Sequence, residues 1–169
     1  MTLVDVYSSL IYVHILSALT FMLTHGVTAS AILFVRNETN AERIRLLLQI
    51  ARNRAAVGVT NTSVTVLLLT GITLGFLGDW WNRMWIWTAL GIAVAITFAM
   101  AFLGRLYFER LRKVVGLPYV EGRKKHEPIP VASEEEILGI SSKSPAYVTA
   151  IAGLLGLFAI LYLMIFKPF

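Results

Sequence analysis

Residues 146–166 read AYVTAIAGLLGLFAILYLMIF, a stretch that decides the fold because it contains no charged side chain and is followed directly by Lys167. A helix of about 20 apolar residues is long enough to cross the roughly 30 Å hydrocarbon core of a bilayer. Backbone groups in lipid must be hydrogen-bonded within the segment, so such a segment is a helix. The stretch therefore predicts a membrane-spanning helix.

Three further apolar stretches precede it, at about 6–35, 55–78 and 84–105. The first lacks the basic leader and the small-residue cleavage site of a signal peptide, so it is predicted to be a retained span. The long loops between the spans are 36–54 and 106–145. We therefore predict an all-α protein, a four-helix transmembrane bundle formed by one domain over residues 1–169.

The composition agrees with this prediction and excludes several other classes. The chain is 57% hydrophobic and 15% charged, with a mean hydropathy of +0.71, whereas soluble domains carry about 25% charged residues. A disordered tail and a soluble basic domain are therefore excluded. The absence of cysteine excludes disulfides, iron–sulfur clusters and covalently attached haem.

The basic residues predict the orientation of the bundle. Thirteen of the 15 lysines and arginines lie in the two long loops or at their edges, and only Arg83 and Lys167 lie on the other side. The positive-inside rule then places both long loops in the cytoplasm and both termini outside. Topology accounts for the pI of 9.7, and no nucleic-acid partner is predicted because no binding motif accompanies the charge.

Two loops carry structural signals of their own. The short second loop and the start of the third span contain Trp80, Trp81, Trp85 and Trp87, which predict an aromatic belt at the outer interface or, as the alternative, a ligand site. In the first long loop, Thr39 and Glu42 have the spacing of a capping box. An amphipathic helix at the cytoplasmic surface is predicted to follow them.

Several kinds of chemistry lack the residues that they need. No aspartate or glutamate lies inside the four spans, although ion-coupled carriers usually place an ionisable group on their pathway. There is also no phosphate-binding loop, no metalloprotease pair of histidines and no nucleophile elbow. A small-solute channel or carrier is therefore the weakest of three functional hypotheses, and a hydrolase or an ATP-driven pump is not predicted.

The first span holds two candidate ligands, His14 and His25. Eleven residues at 100° each place both rings on nearly one face, about 16 Å apart, so they cannot bind the same metal ion. His25 has Met22 one turn away, a pair that suits copper. For a haem with two axial ligands, the second ligand would come from a symmetric dimer or from a methionine such as Met100.

Counting residues from the loop edges predicts how deep each histidine lies. His25 is eleven residues before Arg36, and the same distance from Arg54 reaches Thr65, one turn from Asn61. A hydrogen bond from His25 to Asn61 or Thr65 is predicted near mid-membrane, where it would fix the imidazole as second-shell partners do at metal sites. His14 is predicted at the outer interface. The alternative is that His25 is only a packing group between helices.

Small residues predict where helices approach each other closely. The second span contains Gly71, Gly75 and Gly78, and the fourth contains Ala152, Gly153 and Gly156. Such pairs let backbones pack without large side chains. They mark either packing inside the bundle or the face of a homo-oligomer or larger membrane complex.

The chain resembles the copper-resistance-D superfamily, and within it an uncharacterised bacterial family of four-helix integral membrane proteins. The resemblance covers most of the chain except about 116–144. The residues that carry it are 12–16 (YVHIL), 25–26 (HG), 70–72 (TGI), 78–81 (GDWW), 85–87 (WIW) and 166–169 (FKPF).

The resemblance implies a function as well as a fold. The superfamily includes copper-handling proteins and the J-type protoporphyrinogen oxidase, which carries haem b, and His14 matches their characteristic first-helix histidine. The implied protein is a small redox- or metal-associated protein of the bacterial plasma membrane that binds haem b or copper through His14 or His25. The alternative is a structural or accessory subunit without a cofactor. No other catalytic residue matches, so whether the chain is an enzyme stays open.

Overall fold

A computed structural model describes residues 3–168 of the chain, and Phe169 of the C-terminal motif lies outside the described residues. The elements are α1 (Leu3–Val35), α2 (Ala41–Ala51), α3 (Arg54–Leu77), α4 (Met84–Val114), β1 (Tyr119–Glu121), β2 (Lys124–His126), α5 (Glu134–Ser141) and α6 (Ala146–Phe166). Helices α1, α3, α4 and α6 are long and apolar enough to cross a membrane. The predicted four-helix transmembrane bundle is confirmed.

The four spanning helices associate in pairs. Helix α1 packs along α3, and α4 packs along α6, while α1 and α6 meet over a shorter stretch. We call the end that carries α2, the hairpin and α5 the basic end. The end that carries the loop 78–83 is the tryptophan end.

Two side-chain contacts fix the register of the α1–α3 pair. The Oγ1 atoms of Thr24 and Thr60 lie 2.9 Å apart, and Nδ1 of His14 lies 3.0 Å from Oγ1 of Thr70. The two contacts are ten residues apart on each helix, so α1 and α3 run antiparallel and keep the same register between them. In this register residue 30 of α1 lies level with Arg54, so the last turn of α1 extends beyond the start of α3.

The glycines of α6 allow close packing against α4. A Cβ atom on Gly153 would collide with Cε of Met100, and one on Gly156 would collide with Cδ1 of Ile96. Both glycines are therefore packing positions within the chain, where side chains of α4 occupy the space beside them.

The glycines of α3 pack against rings. A Cβ on Gly71 would lie 3.1 Å from Cε1 of His14, and one on Gly75 would lie 3.0 Å from the ring of Trp81. Gly78, just after the helix, is closer still to the ring of Trp80. Of the three positions, only Gly71 marks a contact between spanning helices.

A small apolar core closes the basic end. Its buried residues come from α1, α2, α4, α5 and the segment after α4: Val35, Ile44, Leu48, Leu111, Val115, Leu117 and Ile137. Helix α2 is amphipathic, as predicted, but it is capped by Asn40 and not by Thr39. The Asn40 side chain accepts a hydrogen bond from the backbone N–H of Arg43 at 3.0 Å, and asparagine is the better N-cap residue of the two.

Buried charge organises the segment that follows α4. Arg112 donates from Nε to the carbonyl of Pro118 at 2.9 Å and from Nη1 to the carbonyl of Leu48 at 3.0 Å. The Glu109 carboxylate accepts from Arg52 and from the backbone N–H of Val120, each at 2.6 Å. These bonds hold the β1–β2 hairpin against α4, an element that the all-α prediction did not include.

The tryptophans at the other end form a packed cluster. Trp85 is only 2% exposed and packs with Ile86, Ala89 and Leu163, so it is a core residue and not part of an exposed belt. Nζ of Lys167 lies 4.0 Å from the centroid of the Trp80 ring, which ties the end of α6 to the loop after α3. Trp87 is 53% exposed and is free to face headgroups.

Candidate functional site

The His14 ring is held in a defined orientation by Thr70. A threonine hydroxyl has one proton to donate, and the Thr70 hydroxyl donates it to the carbonyl of Val66 at 2.7 Å, one turn back along α3. In the contact with His14 the Thr70 oxygen therefore accepts, and Nδ1 of His14 donates. This assigns the neutral tautomer with its proton on Nδ1, which leaves a lone pair on Nε2.

Gly71 makes room for this ring. The position of a Cβ atom on Gly71 would lie 3.1 Å from Cε1 of His14 and 3.6 Å from Nδ1. A larger residue at 71 would push against the imidazole next to its bond with Thr70. Thr70 therefore accepts the hydrogen bond from the His14 ring, and Gly71 leaves the room that the ring occupies.

The His14 ring is only partly buried. Among the described residues, the one enclosed side-chain nitrogen or oxygen without a hydrogen bond is Nε1 of Trp81. Nε2 of His14 is not such an atom, and it belongs to a ring that is only partly buried. With the proton on Nδ1, Nε2 is the ring atom that could act as a ligand to a group bound outside the α1–α3 pair.

His14 lies below the tryptophan layer and not within it. The ring of Tyr7 meets the ring of Trp80 edge-on at 6.4 Å, which marks the level of the tryptophan end on α1. Seven helical residues separate Tyr7 from His14, a rise of about 10 Å. The expected position of His14 at the outer interface is therefore too shallow.

His25 does not contact the partners that were predicted for it. Its ring stacks on Phe21, with centroids 5.2 Å apart and planes at 14°. The Thr65 hydroxyl donates instead to the backbone carbonyl of Asn61 at 2.9 Å, and both residues are exposed. The predicted hydrogen bond from His25 to Asn61 or Thr65 is wrong.

The register of the helices explains this error. The depth count treated Arg36 and Arg54 as level with each other, but residue 30 of α1 is the one level with Arg54. The offset of six residues is about 9 Å along the helix axis. It brings Thr24, and not His25, opposite a hydroxyl of α3. His25 consequently lies only five residues, about 7 Å along the axis, from the level of Arg54.

The two methionines considered as ligands lie in different surroundings. Met22 is 37% exposed on α1. Met100 packs against Gly153 in the α4–α6 pair, whereas His14 lies between α1 and α3. Within residues 3–168, no group of three or more histidine, aspartate or glutamate side chains could hold a metal ion. One chain therefore offers His14 or His25 only as a single donor.

Two depressions of the surface lie away from the histidines of α1. One lies between the end of α1 and α2, and its lining includes Phe34, Leu46 and Ile50. The other lies at the tryptophan end, where Arg83 and Lys167 are part of its wall. A cofactor on His14 would therefore lie outside both depressions.

Sequence reasoning missed the polar network at the basic end, beyond Arg105. The Tyr107 hydroxyl donates to the carbonyl of Ile140 at 2.7 Å, and burial raises the pKa of Tyr107 to about 12. Burial lowers the pKa of Arg112. The third histidine, His126, stacks on Tyr119 across the hairpin at 5.1 Å. Gly122 was the sequence signal for the hairpin turn, because a glycine readily adopts the positive φ of 63° found there.

Comparisons with protein-family models, with curated proteins and with solved structures found no match for this chain. The resemblance to the copper-resistance-D superfamily therefore stays a prediction. Any functional assignment depends on the geometry of the described residues.

Proposed function

We propose that the protein is a small redox- or metal-associated integral membrane protein and that His14 is its ligand residue. The observation that carries the proposal is the His14–Thr70 hydrogen bond at 3.0 Å, with the threonine proton directed to Val66. Histidines that bind metals almost always donate their second ring N–H to a carboxylate, a backbone carbonyl or a water, and at His14 the Thr70 hydroxyl oxygen takes the place of that acceptor. The arrangement at His14 matches that pattern.

Haem b suits the available donor better than copper does. A single histidine is enough to hold haem iron from one side, as in globins and peroxidases. Copper sites combine an imidazole with further nitrogen or sulfur ligands, and the described residues bring none to His14. His25 and Met22 are one turn apart on α1 and form the second candidate pair for copper. Unlike His14, His25 has no hydrogen-bonded partner within residues 3–168 to hold its ring.

Haem b, when bound, would supply one-electron redox chemistry. The residues of this chain would position the group. Thr70 keeps the Nε2 lone pair of His14 available, and Gly71 leaves space for the ring. The α1–α3 pair holds His14 about 10 Å below the aromatic layer, where the surrounding hydrocarbon would exclude water from the ligand.

The proposal includes a location and an orientation. We place the protein in the bacterial plasma membrane, with the basic end in the cytoplasm and both termini outside. The support is the distribution of charge, because 13 of the 15 basic residues belong to one side, and basic loops stay in the cytoplasm. In this orientation His14 lies nearer the outer surface and His25 nearer the cytoplasm.

The second candidate function is that of a structural or accessory subunit without a cofactor. It is favoured by the Thr24–Thr60 contact at 2.9 Å, which joins the same two helices and involves no ligand residue. By analogy, the His14–Thr70 bond would serve only to hold α1 and α3 together. The third candidate, a channel or carrier, has no comparable observation in its favour.

One purification experiment separates these candidates. The wild type, His14→Gln and His25→Gln are purified in detergent from cells supplied with haem precursor and copper. Absorption spectra report haem, and mass spectrometry reports metals. We expect a Soret band in the wild type, its loss in His14→Gln and its retention in His25→Gln. A colourless, metal-free wild type would contradict the proposal and support an accessory subunit.

A further inference from the structure

Asn61 and Thr65 are on the face of α3 that points away from α1. Ser63 is 6% exposed and lies in the α1–α3 interface, between Thr60 and Thr70. Asn61 and Thr65 each lie two residues from Ser63, which turns them about 160° around the helix. Both are exposed, so this face has no neighbour among residues 3–168.

The amide of Asn61 is an unsatisfied polar group at membrane depth. Asn61 is seven residues from Arg54, which places it about 10 Å inside the basic edge of the hydrocarbon. Within the described part of the chain, its side-chain amide makes no hydrogen bond, and neither does the hydroxyl of Thr62. Lipid tails cannot satisfy an amide, so its exposure to them is costly.

The surroundings of Asn61 allow another helix to approach. A Cβ atom on Gly58 would have nothing within 4 Å, so the surface is open one turn before the amide. Gly58, Asn61, Thr65, Leu68 and Ile72 follow one another at spacings of four and three residues, as in the seam of two packed helices. Small and polar residues are the ones that join helices in membranes.

We infer that this face of α3 is the interface of a homodimer, in which Asn61 pairs with Asn61 of a second copy. An amide both donates and accepts, so it is its own complement. Two copies inserted in the same orientation and related by a two-fold axis along the membrane normal carry Asn61 at the same depth. Each amide then donates one hydrogen bond and accepts one, as the symmetry of an isologous interface requires.

The inferred dimer is independent of the proposed function. Because α1 lies on the opposite side of α3, each His14 ring is separated from the interface by α3. The dimer therefore does not bring two histidines to one haem. Its role is to satisfy Asn61 and to cover the exposed face of α3.

Cysteine cross-linking in membranes tests the interface. The chain has no cysteine, so any disulfide between two copies must come from the single cysteine that is introduced. We expect Thr65→Cys and Leu68→Cys to form disulfide-linked homodimers when native membranes are oxidised. The matched control is Phe98→Cys on α4, where the residue is 72% exposed and should not cross-link. Absence of cross-links at both α3 positions, or cross-links to another protein only, would overturn the inference.

Substitution of Asn61 tests the role of its amide. Energy transfer between labelled copies in liposomes measures the dimer dissociation constant. We expect Asn61→Leu to raise this constant about tenfold and Asn61→Gln to retain near wild-type association. Thermal unfolding in detergent, at a dilution where the protein is monomeric, should be unchanged for both, since Asn61 makes no side-chain hydrogen bond within the described chain. Equal association of Asn61→Leu and the wild type, or equal weakening by leucine and glutamine, would overturn the inference.

Discussion

The Nδ1 atom of His14 lies 3.0 Å from Oγ1 of Thr70, in the same helix interface where Thr24 meets Thr60. The two contacts are ten residues apart on each helix and together define the register of α1 against α3. The first of them also assigns the tautomer of His14. A helix-packing contact and the orientation of a candidate ligand thus depend on one threonine hydroxyl.

Replacing Thr70 by valine should affect cofactor binding more than folding. Thr70→Val keeps the shape of the side chain but removes the acceptor for Nδ1–H of His14. We expect cofactor affinity to fall about 10- to 100-fold, the usual effect of losing such a partner. The free energy of unfolding should fall by only about 1 kcal/mol. Haem titration and unfolding in mixed detergent measure the two quantities.

Thr73→Val is the matched control for Thr70→Val. Thr73 is exposed, and its hydroxyl donates to the carbonyl of Leu69 within its own helix. This variant should leave cofactor affinity unchanged. Equal affinity in the two variants and the wild type would mean that Thr70 does not orient a ligand.

Enlarging Gly71 should separate α1 from α3. In Gly71→Leu the new side chain would meet the His14 ring, which is already 3.1 Å from the Cβ position. We expect a loss of about 1–3 kcal/mol in the free energy of unfolding, as for other overpacked sites. Gly91→Leu is the control, because a Cβ there has nothing within 4 Å. Equal unfolding free energies for the two variants would show that residue 71 is not packed.

The hydropathy of the sequence was sufficient to predict the spanning helices, because each span depends only on local composition. The predicted bounds 146–166 coincide with those of α6, and 55–78 differs from α3 by one residue at each end. The relative depth of two helices is not a local property. It depends on how far α1 continues into the basic-end core, where Val35 is fully buried.

The candidate site was predicted only in part for the same reason. His14 was identified as one of two candidate ligands by its place in the first span, and Gly71 as a packing position by its spacing. Their partnership with Thr70 depends on the register, which the residue count from Arg36 and Arg54 misjudged. The buried Arg112 was missed because its acceptors, the carbonyls of Leu48 and Pro118, are backbone groups brought together by the fold.

Tyr107 predicts a loss of stability at alkaline pH. Burial raises its pKa from 10 to about 12, so the unfolded chain releases this proton at lower pH than the folded protein does. The stabilisation from the neutral, buried phenol is fully present below pH 10 and is lost as pH rises to about 12.

Tyr107→Phe isolates this effect from the titration of the lysines. Between pH 10 and 12, the wild type should lose more unfolding free energy than the phenylalanine variant does. Chemical unfolding at a series of pH values measures the difference. Parallel pH profiles of the two proteins would contradict a raised pKa for Tyr107.

The orientation of the bundle can be tested with reporter fusions. A reporter fused after Phe169 should behave as extracytoplasmic. One inserted at the hairpin turn between Gly122 and Arg123, near Lys125, should behave as cytoplasmic, and both turn residues are exposed. The opposite pattern would reverse the orientation and the assignment of His14 to the outer half of the membrane.

Chemical rescue of His14 tests the central claim most directly. His14→Gly leaves a gap that free imidazole can enter, so the variant can regain a nitrogen ligand without regaining the side chain. The measurement is the Soret absorption of purified His14→Gly, loaded with haem, before and after addition of imidazole. We predict that the wild-type band is lost in the variant and returns with imidazole. A wild-type band in His14→Gly without imidazole would contradict the assignment of His14 as the ligand.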